Sequence, residues 1–327
     1  MEYRTLGRTG IRVSAVAFGA GPVSGWMDQR GPDEQCAVIR RALDVGINWF
    51  DTAAGYGSGQ SETSLGRALA RLGMPDGVHV ATKVRYPADR LDDVLGYTRE
   101  SVEGSLRRLG MSHVTLLQLH NSITTRRGDE PTSITPEDIL VPGGVLEAFR
   151  ALQAAGLVGH LGLTGIGQPA AMREVVRSGA FDAMQVSYNL LNPSAGHPVP
   201  PDYPQTDYGN IIADCAEQRM GVFAIRIFAG GALAGRPPSA HTHRTPFFPL
   251  ALYESDRRRA ARATALLGPG RNVKADALRF VLDHPRVAAA IVGFRDPGEI
   301  EDGARWLSSG PLPRHLYALL LRAAEDS

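Results

Sequence analysis

Eight short apolar runs, each followed by a longer amphipathic stretch, constrain this chain more than any other feature of it. The runs cover residues 15–20, 47–50, 78–83, 114–119, 160–164, 183–186, 222–225 and 289–292. Near-continuous apolar strands are buried on both faces, and helical crossovers between them make neighbouring strands parallel. Stretches with helical periodicity at 33–45, 62–72, 91–109 and 144–155 supply such crossovers. Eight units with no break in composition fit a closed (β/α)8 TIM barrel better than an open sheet. That barrel takes roughly 250 residues and tolerates insertions, so the 327 residues are read as one domain, 1–327.

Caps sharpen the boundaries. Asp33 is expected as the N-cap of the first long helix, with Gly46 just past its end. Gly110 and Gly156 are placed to end later helices in the same way. Residues 3–14 hold Gly7 and Gly10 between β-prone runs, which predicts a hairpin closing the barrel's bottom. Two irregular, proline-containing stretches follow strands, at 189–208 and 235–250. In a barrel both lie over the C-terminal face, where active sites form, so both are candidates for shaping substrate access, the first more than the second.

Composition narrows the function classes. Thirty-five Lys and Arg against thirty-four Asp and Glu give a net charge of +1, so there is no basic field for nucleic acid. Arg257, Arg258, Arg259 and Arg262 are expected on a solvated helix face. No apolar run reaches the roughly 18 residues of a membrane span, and the N-terminus has no apolar signal-peptide core. Cys36 and Cys215 are too few and too far apart for a disulfide framework and are expected as reduced thiols in helices, which suits the cytoplasm. His241 and His243 lack a third ligand at useful spacing and are expected to face solvent, so no metal is assigned. The run Gly165-Ile166-Gly167-Gln168-Pro169-Ala170 mimics a dinucleotide fingerprint, but Asp182 begins the next strand instead of ending it.

Chemistry gathers at three consecutive strand ends. Asp51 follows Trp49-Phe50, Tyr56 lies in the loop after it, Lys83 ends Val80-Ala81-Thr82, and His120 ends Leu117-Gln118-Leu119. Charge inside a strand is costly, so polar groups clustered at C-terminal strand ends point to a shared site. A lysine ammonium about 4 Å from a phenol contributes on the order of 4 kcal/mol at an effective dielectric near 20. That makes a tyrosine usable as a proton donor or acceptor. A carboxylate keeps the lysine charged, and an imidazole can orient a carbonyl oxygen. None of the four supplies hydride, so a nicotinamide is required.

These segments resemble the aldo-keto reductase family over almost the whole chain. The signature is Asp51-Thr52-Ala53-Ala54-Gly55-Tyr56-Gly57 with Gln60-Ser61-Glu62 and Leu65-Gly66, followed by Val80-Ala81-Thr82-Lys83 and Leu116-Leu117-Gln118-Leu119-His120. The resemblance implies a catalytic tetrad of Asp51, Tyr56, Lys83 and His120. It implies cofactor contacts from Gly19, Asp51, Thr164, Gln185, Arg226, Ile227, Phe228, Gly293, Arg295, Glu299 and Asp302. Gln185 matches the residue that binds the nicotinamide carboxamide. Gly162-Leu163-Thr164-Gly165 and Arg226-Ile227-Phe228 depart from the commoner family segments, and the Thr-Gly variant is similar to the branch of L-galactose dehydrogenase and related aldose dehydrogenases. Arg226 is expected to pair with the cofactor pyrophosphate. Arg295 is expected to hold a 2′-phosphate while Glu299 turns to solvent, which favours NADPH over NADH. The expected substrate is a small carbonyl compound or sugar. A sugar dehydrogenase working toward oxidation, and a non-catalytic cofactor-binding subunit, are the alternatives; the resemblance leaves oligomeric state open.

Overall fold

The inward faces of the strands explain the architecture of this computed structural model, which describes residues 1–325. A two-stranded hairpin, β1 (Tyr3–Thr5) and β2 (Arg12–Ser14), precedes the barrel. The barrel strands are β3 (Val16–Gly19), β4 (Trp49–Asp51), β5 (His79–Val84), β6 (Val114–Leu119), β7 (Val158–Gly165), β8 (Ala183–Ser187), β9 (Gly221–Ile225) and β10 (Val287–Val292). All eight are parallel and close in chain order, with β10 pairing β3. The chain is an eight-stranded (β/α)8 barrel with helices outside.

Side chains alternate along a strand, so every second residue enters the barrel. Ala17, Trp49, Ala81, Leu116, Ala183, Phe223 and Ala289 fill the interior as one apolar cluster. Small alanines leave room for the Trp49 and Phe223 rings, whose centroids are 4.7 Å apart. The hairpin adds Leu6 and Val13 to that cluster and plugs its lower end, as expected. Gly7 is required there: at φ +49° its absent Cβ would sit 2.2 Å from the Gly221 nitrogen. A second, larger apolar layer lies between sheet and helices.

Element boundaries differ from expectation where a side chain finds a better partner. Asp33 is not an N-cap. Gly31 takes that position, Pro32 opens helix Pro32–Asp44, and the Glu34 carboxylate accepts from the Gly31 N–H. The third long helix starts later than the pattern suggests, at Val94, because Asp93 caps the Gly96 N–H at 3.0 Å. Strand β4 starts at Trp49, since Asn48 ties residues 12 and 14 of the hairpin instead of continuing the sheet. Both cysteines are free, buried and helical.

One charged residue turns inward unexpectedly. Arg257, Arg258 and Arg262 face solvent on helix Leu250–Leu267, but Arg259 is buried, donating to the Leu191 carbonyl at 2.8 Å and pairing with Asp256. The backbone around Leu191 needs a donor there, and Asp256 one turn earlier neutralises it. Among the described residues no helix is long and apolar enough to cross a membrane.

Candidate active site

Continuing the inward alternation past the apolar layer produces the site. Two residues beyond Trp49 stands Asp51; beyond Ala81, Lys83; beyond Leu116, Gln118; beyond Ala183, Gln185. Strand register brings this polar layer together: Lys83 lies opposite Gln118, and Thr164 opposite Gln185.

Asp51 is the hub of the layer. Its Oδ1 accepts from Lys83 Nζ at 2.5 Å, and its Oδ2 accepts from Gln118 Nε2 at 3.0 Å and Gln185 Nε2 at 2.5 Å. Lys83 also donates to the Thr52 carbonyl at 2.8 Å and to the Tyr56 hydroxyl at 3.3 Å. Its side chain has no exposed surface. Burial alone would drive the Lys83 pKa down, but Asp51 and Tyr56 outweigh it and hold the ammonium above its usual value. Tyr56 meets the His120 ring edge to face at 5.6 Å. Burial, then the Arg85 and Lys83 cations, push the His120 pKa well below the ordinary imidazole range, so the ring is neutral.

These groups open into a cavity of about 740 Å³ over the C-terminal ends of the strands, lined by Asp51, Tyr56 and His120. Lys83 stands behind Tyr56, outside the lining. The match to the Aldo/keto reductase family model runs from residue 15 to residue 322. The chain belongs to the aldo/keto reductase family. As a member it is an NAD(P)-dependent oxidoreductase interconverting carbonyl compounds and alcohols.

Relatives agree with that placement. The chain is 29% identical to the aldo-keto reductase YhdN of Bacillus subtilis (strain 168) over 315 residues, 92% of this chain and 87% of that one. It is 34% identical to L-galactose dehydrogenase of Arabidopsis thaliana over 167 residues, 51% and 49% of the two chains. The holo form of aldo-keto reductase AKR11C1 from Bacillus halodurans superposes with a TM-score of 0.75 at 21% identity, covering 100% of this chain and 97% of that one.

The residues expected to meet cofactor divide into two groups. Gly19, Asp51, Thr164, Gln185, Arg226, Ile227, Phe228, Gly293 and Arg295 line the cavity of this reductase. Glu299 and Asp302 are not in its lining. Asp302 pairs with Arg305 on the outer side of helix Pro297–Leu307. Glu299 does not turn to solvent: its side chain is 12% exposed, takes the Arg295 N–H at 2.8 Å and pairs with Arg236, with Lys274 at 3.9 Å. Two cations and one backbone N–H around the carboxylate draw it inward. Arg226 is also committed, pairing with Asp256 at 2.8 Å and lying 4.2 Å from the Phe248 ring centroid.

The donor set suits a nicotinamide. Thr164 Oγ1 is buried, lies in the lining residue nearest Gln185 in register, and has no hydrogen-bond partner. At Gly19, which also lines the cavity, a Cβ would meet the Ile291 side chain at 3.1 Å, so the glycine lets β3 pack closely on β10.

The two irregular stretches take opposite places. Among the described residues none from 189 to 208 lines the cavity. Tyr188, just before that stretch, stacks on Phe280 and bonds His197 and Tyr317, so this loop is fastened to outer helices instead. The second stretch covers the mouth with Arg236, His241, Thr242, Arg244, Thr245, Pro246, Phe247 and others. His241 therefore faces the cavity and only His243 is exposed. Among the described residues no cluster could hold a metal ion.

Sequence reasoning passed over Arg85, Arg236 and Asp256. Arg85 had a signal, because it continues the inward phase of Ala81 and Lys83. Arg236 and Asp256 had none, since their partners lie tens of residues away.

Proposed function

We propose that Tyr56 transfers the proton at the carbonyl oxygen, with Lys83 and Asp51 holding it and His120 orienting the substrate. The observation that carries this reading is the chain Asp51 Oδ1, Lys83 Nζ and Tyr56 OH, at 2.5 and 3.3 Å, ending in the cavity His120 also lines. When bound, the nicotinamide supplies or takes the hydride. Lys83 stabilises negative charge on the Tyr56 oxygen in either direction of the reaction. His120, being neutral, offers an N–H to the carbonyl oxygen instead of competing for the proton. Gln185 and Thr164 are the residues that would hold the carboxamide, with Gln185 exchanging its bond to Asp51 for one to the ligand. The turn 226–228, with Gly293 and Arg295, would hold the phosphates. The reacting carbonyl belongs to a small molecule, of a size the 740 Å³ cavity admits beside the cofactor.

We further propose that NADPH is preferred over NADH. Arg236, Lys274 and Arg295 gather at the N-terminus of helix Pro297–Leu307, and Glu299 is occupied by Arg236 rather than free to accept from ribose hydroxyls. Fluorescence titration with both reduced cofactors checks this, and tighter NADH binding would contradict it. The proton-transfer reading is checked by Tyr56→Phe, which removes only a hydroxyl. Turnover should fall by about 100-fold or more, with cofactor binding kept. Near-normal turnover would refute it.

A further inference from the structure

Arg85 sits one inward step beyond the proton-transfer groups. Ala81 fills the barrel, Lys83 holds Asp51 and Tyr56, and Arg85 lines the cavity. Its Nε donates to the His120 carbonyl at 3.2 Å, and its guanidinium carbon lies 4.4 Å from the Phe247 ring centroid. Those two contacts anchor the guanidinium at the cavity wall. Among the described residues neither terminal nitrogen has a hydrogen-bond partner, and Arg85 makes no ion pair. A guanidinium keeps its charge at any working pH, so the entering ligand has to meet it.

The other arginines of this lining are placed differently. Arg226 is paired with Asp256 and Arg236 with Glu299. Among the described residues Arg244 and Arg295 make no ion pair, but Arg244 is exposed and Arg295 lies past β10, on the cofactor side. Asp28, the cavity's other carboxylate beside Asp51, acts on His241 together with Arg244, away from Arg85. The barrel order puts β5 opposite β9, so Arg85 stands across the mouth from the turn 226–228. Its ligand is therefore the substrate, not the cofactor phosphates.

We infer that the preferred substrates carry a carboxylate a few bonds from the reacting carbonyl, bound by the two terminal nitrogens of Arg85 while Tyr56 and His120 engage the carbonyl oxygen. A planar fork backed by the Phe247 ring matches a carboxylate edge to edge. This rests on the proton-transfer reading above and adds the substrate class to it.

The test compares 4-oxobutanoate with its methyl ester, which shares the aldehyde and lacks the charge. The native enzyme should favour the carboxylate in kcat/KM by about 10-fold or more, the scale of one charge-assisted bond. Arg85→Met should raise KM for 4-oxobutanoate by about 30-fold while shifting kcat/KM for the ester no more than about 3-fold. Arg85→Lys, a point charge without the fork, should fall between. Equal losses on both substrates would overturn the inference, leaving Arg85 only a support for His120; so would a native enzyme indifferent to the charge. A second readout needs no turnover: calorimetry of succinate binding to the complex with oxidised cofactor should lose about 30-fold affinity in Arg85→Met. Succinate binding unchanged by the substitution also overturns it, whereas native enzyme that binds succinate through Arg85 but reduces neither aldehyde strikes the proton-transfer reading alone.

Discussion

Across the barrel mouth the two ends of the cavity hold charge in different ways. At the ends of β4, β5 and β6, one buried ammonium sits between a carboxylate and a phenol, and each group comes from within a few residues of an apolar strand. At the turns after β9 and β10, guanidiniums are matched by carboxylates from distant helices, Arg226 by Asp256 and Arg236 by Glu299. The first end is complete before any ligand arrives. The second keeps its cations partly neutralised, and phosphate has to compete with a carboxylate already in place. Reaction geometry is thus built into the sheet, whereas cofactor affinity depends on helix-borne pairs that substitution can tune separately.

The largest effect should come from the catalytic end. Asp51→Asn leaves the Lys83 ammonium buried with no carboxylate, and removing one partner of a buried pair costs about 3–5 kcal/mol. Urea unfolding should show that loss, and an unchanged midpoint would mean that Lys83 is not held by Asp51. At the phosphate end the expected effect is smaller. Arg226→Ala should weaken cofactor binding by about 10-fold with saturated turnover kept. Asp256 retains Arg259, so the fold should survive. Unchanged affinity would show that only the backbone of this turn serves the cofactor. Smaller still is Glu299→Gln, which frees Arg236 and should tighten NADPH about 3-fold relative to NADH by removing one competing charge. A shift toward NADH would reverse the assignment. No inflection from His120 is expected between pH 6 and 8, because burial and the Arg85 and Lys83 cations hold its pKa well below the ordinary imidazole value and favour the neutral ring. An inflection near 6.5 in kcat/KM that disappears in His120→Gln would contradict the neutral ring.

The same contrast decides what was legible in the sequence. Asp51, Lys83 and His120 stood out because each ends an apolar run, and strand alternation carries that pattern straight into the barrel. The eight strands were legible for the same reason, within a few residues at their ends. Glu299 was misread because helical periodicity cannot tell which of two partly exposed directions a side chain takes once Arg236 approaches from another loop. Arg259 was misread similarly, its inward turn set by Asp256 and the Leu191 carbonyl. The two irregular stretches looked alike in composition. Only tertiary partners separate them: the rings of Phe280 and Tyr317 fasten the segment from Tyr188 through the first, while Phe247 and Phe248 of the second meet Arg85 and Arg226 over the mouth.

The central claim is that Lys83 acts through Tyr56, and a double-substitution cycle tests it most directly. Single-turnover rates are measured for Tyr56→Phe, Lys83→Met and the pair, each scaled to the fraction of protein that binds cofactor. If the two side chains form one proton-transfer unit, the double variant should be no slower than the slower single variant by more than about 3-fold. Losses that multiply would show two independent contributions and contradict the account.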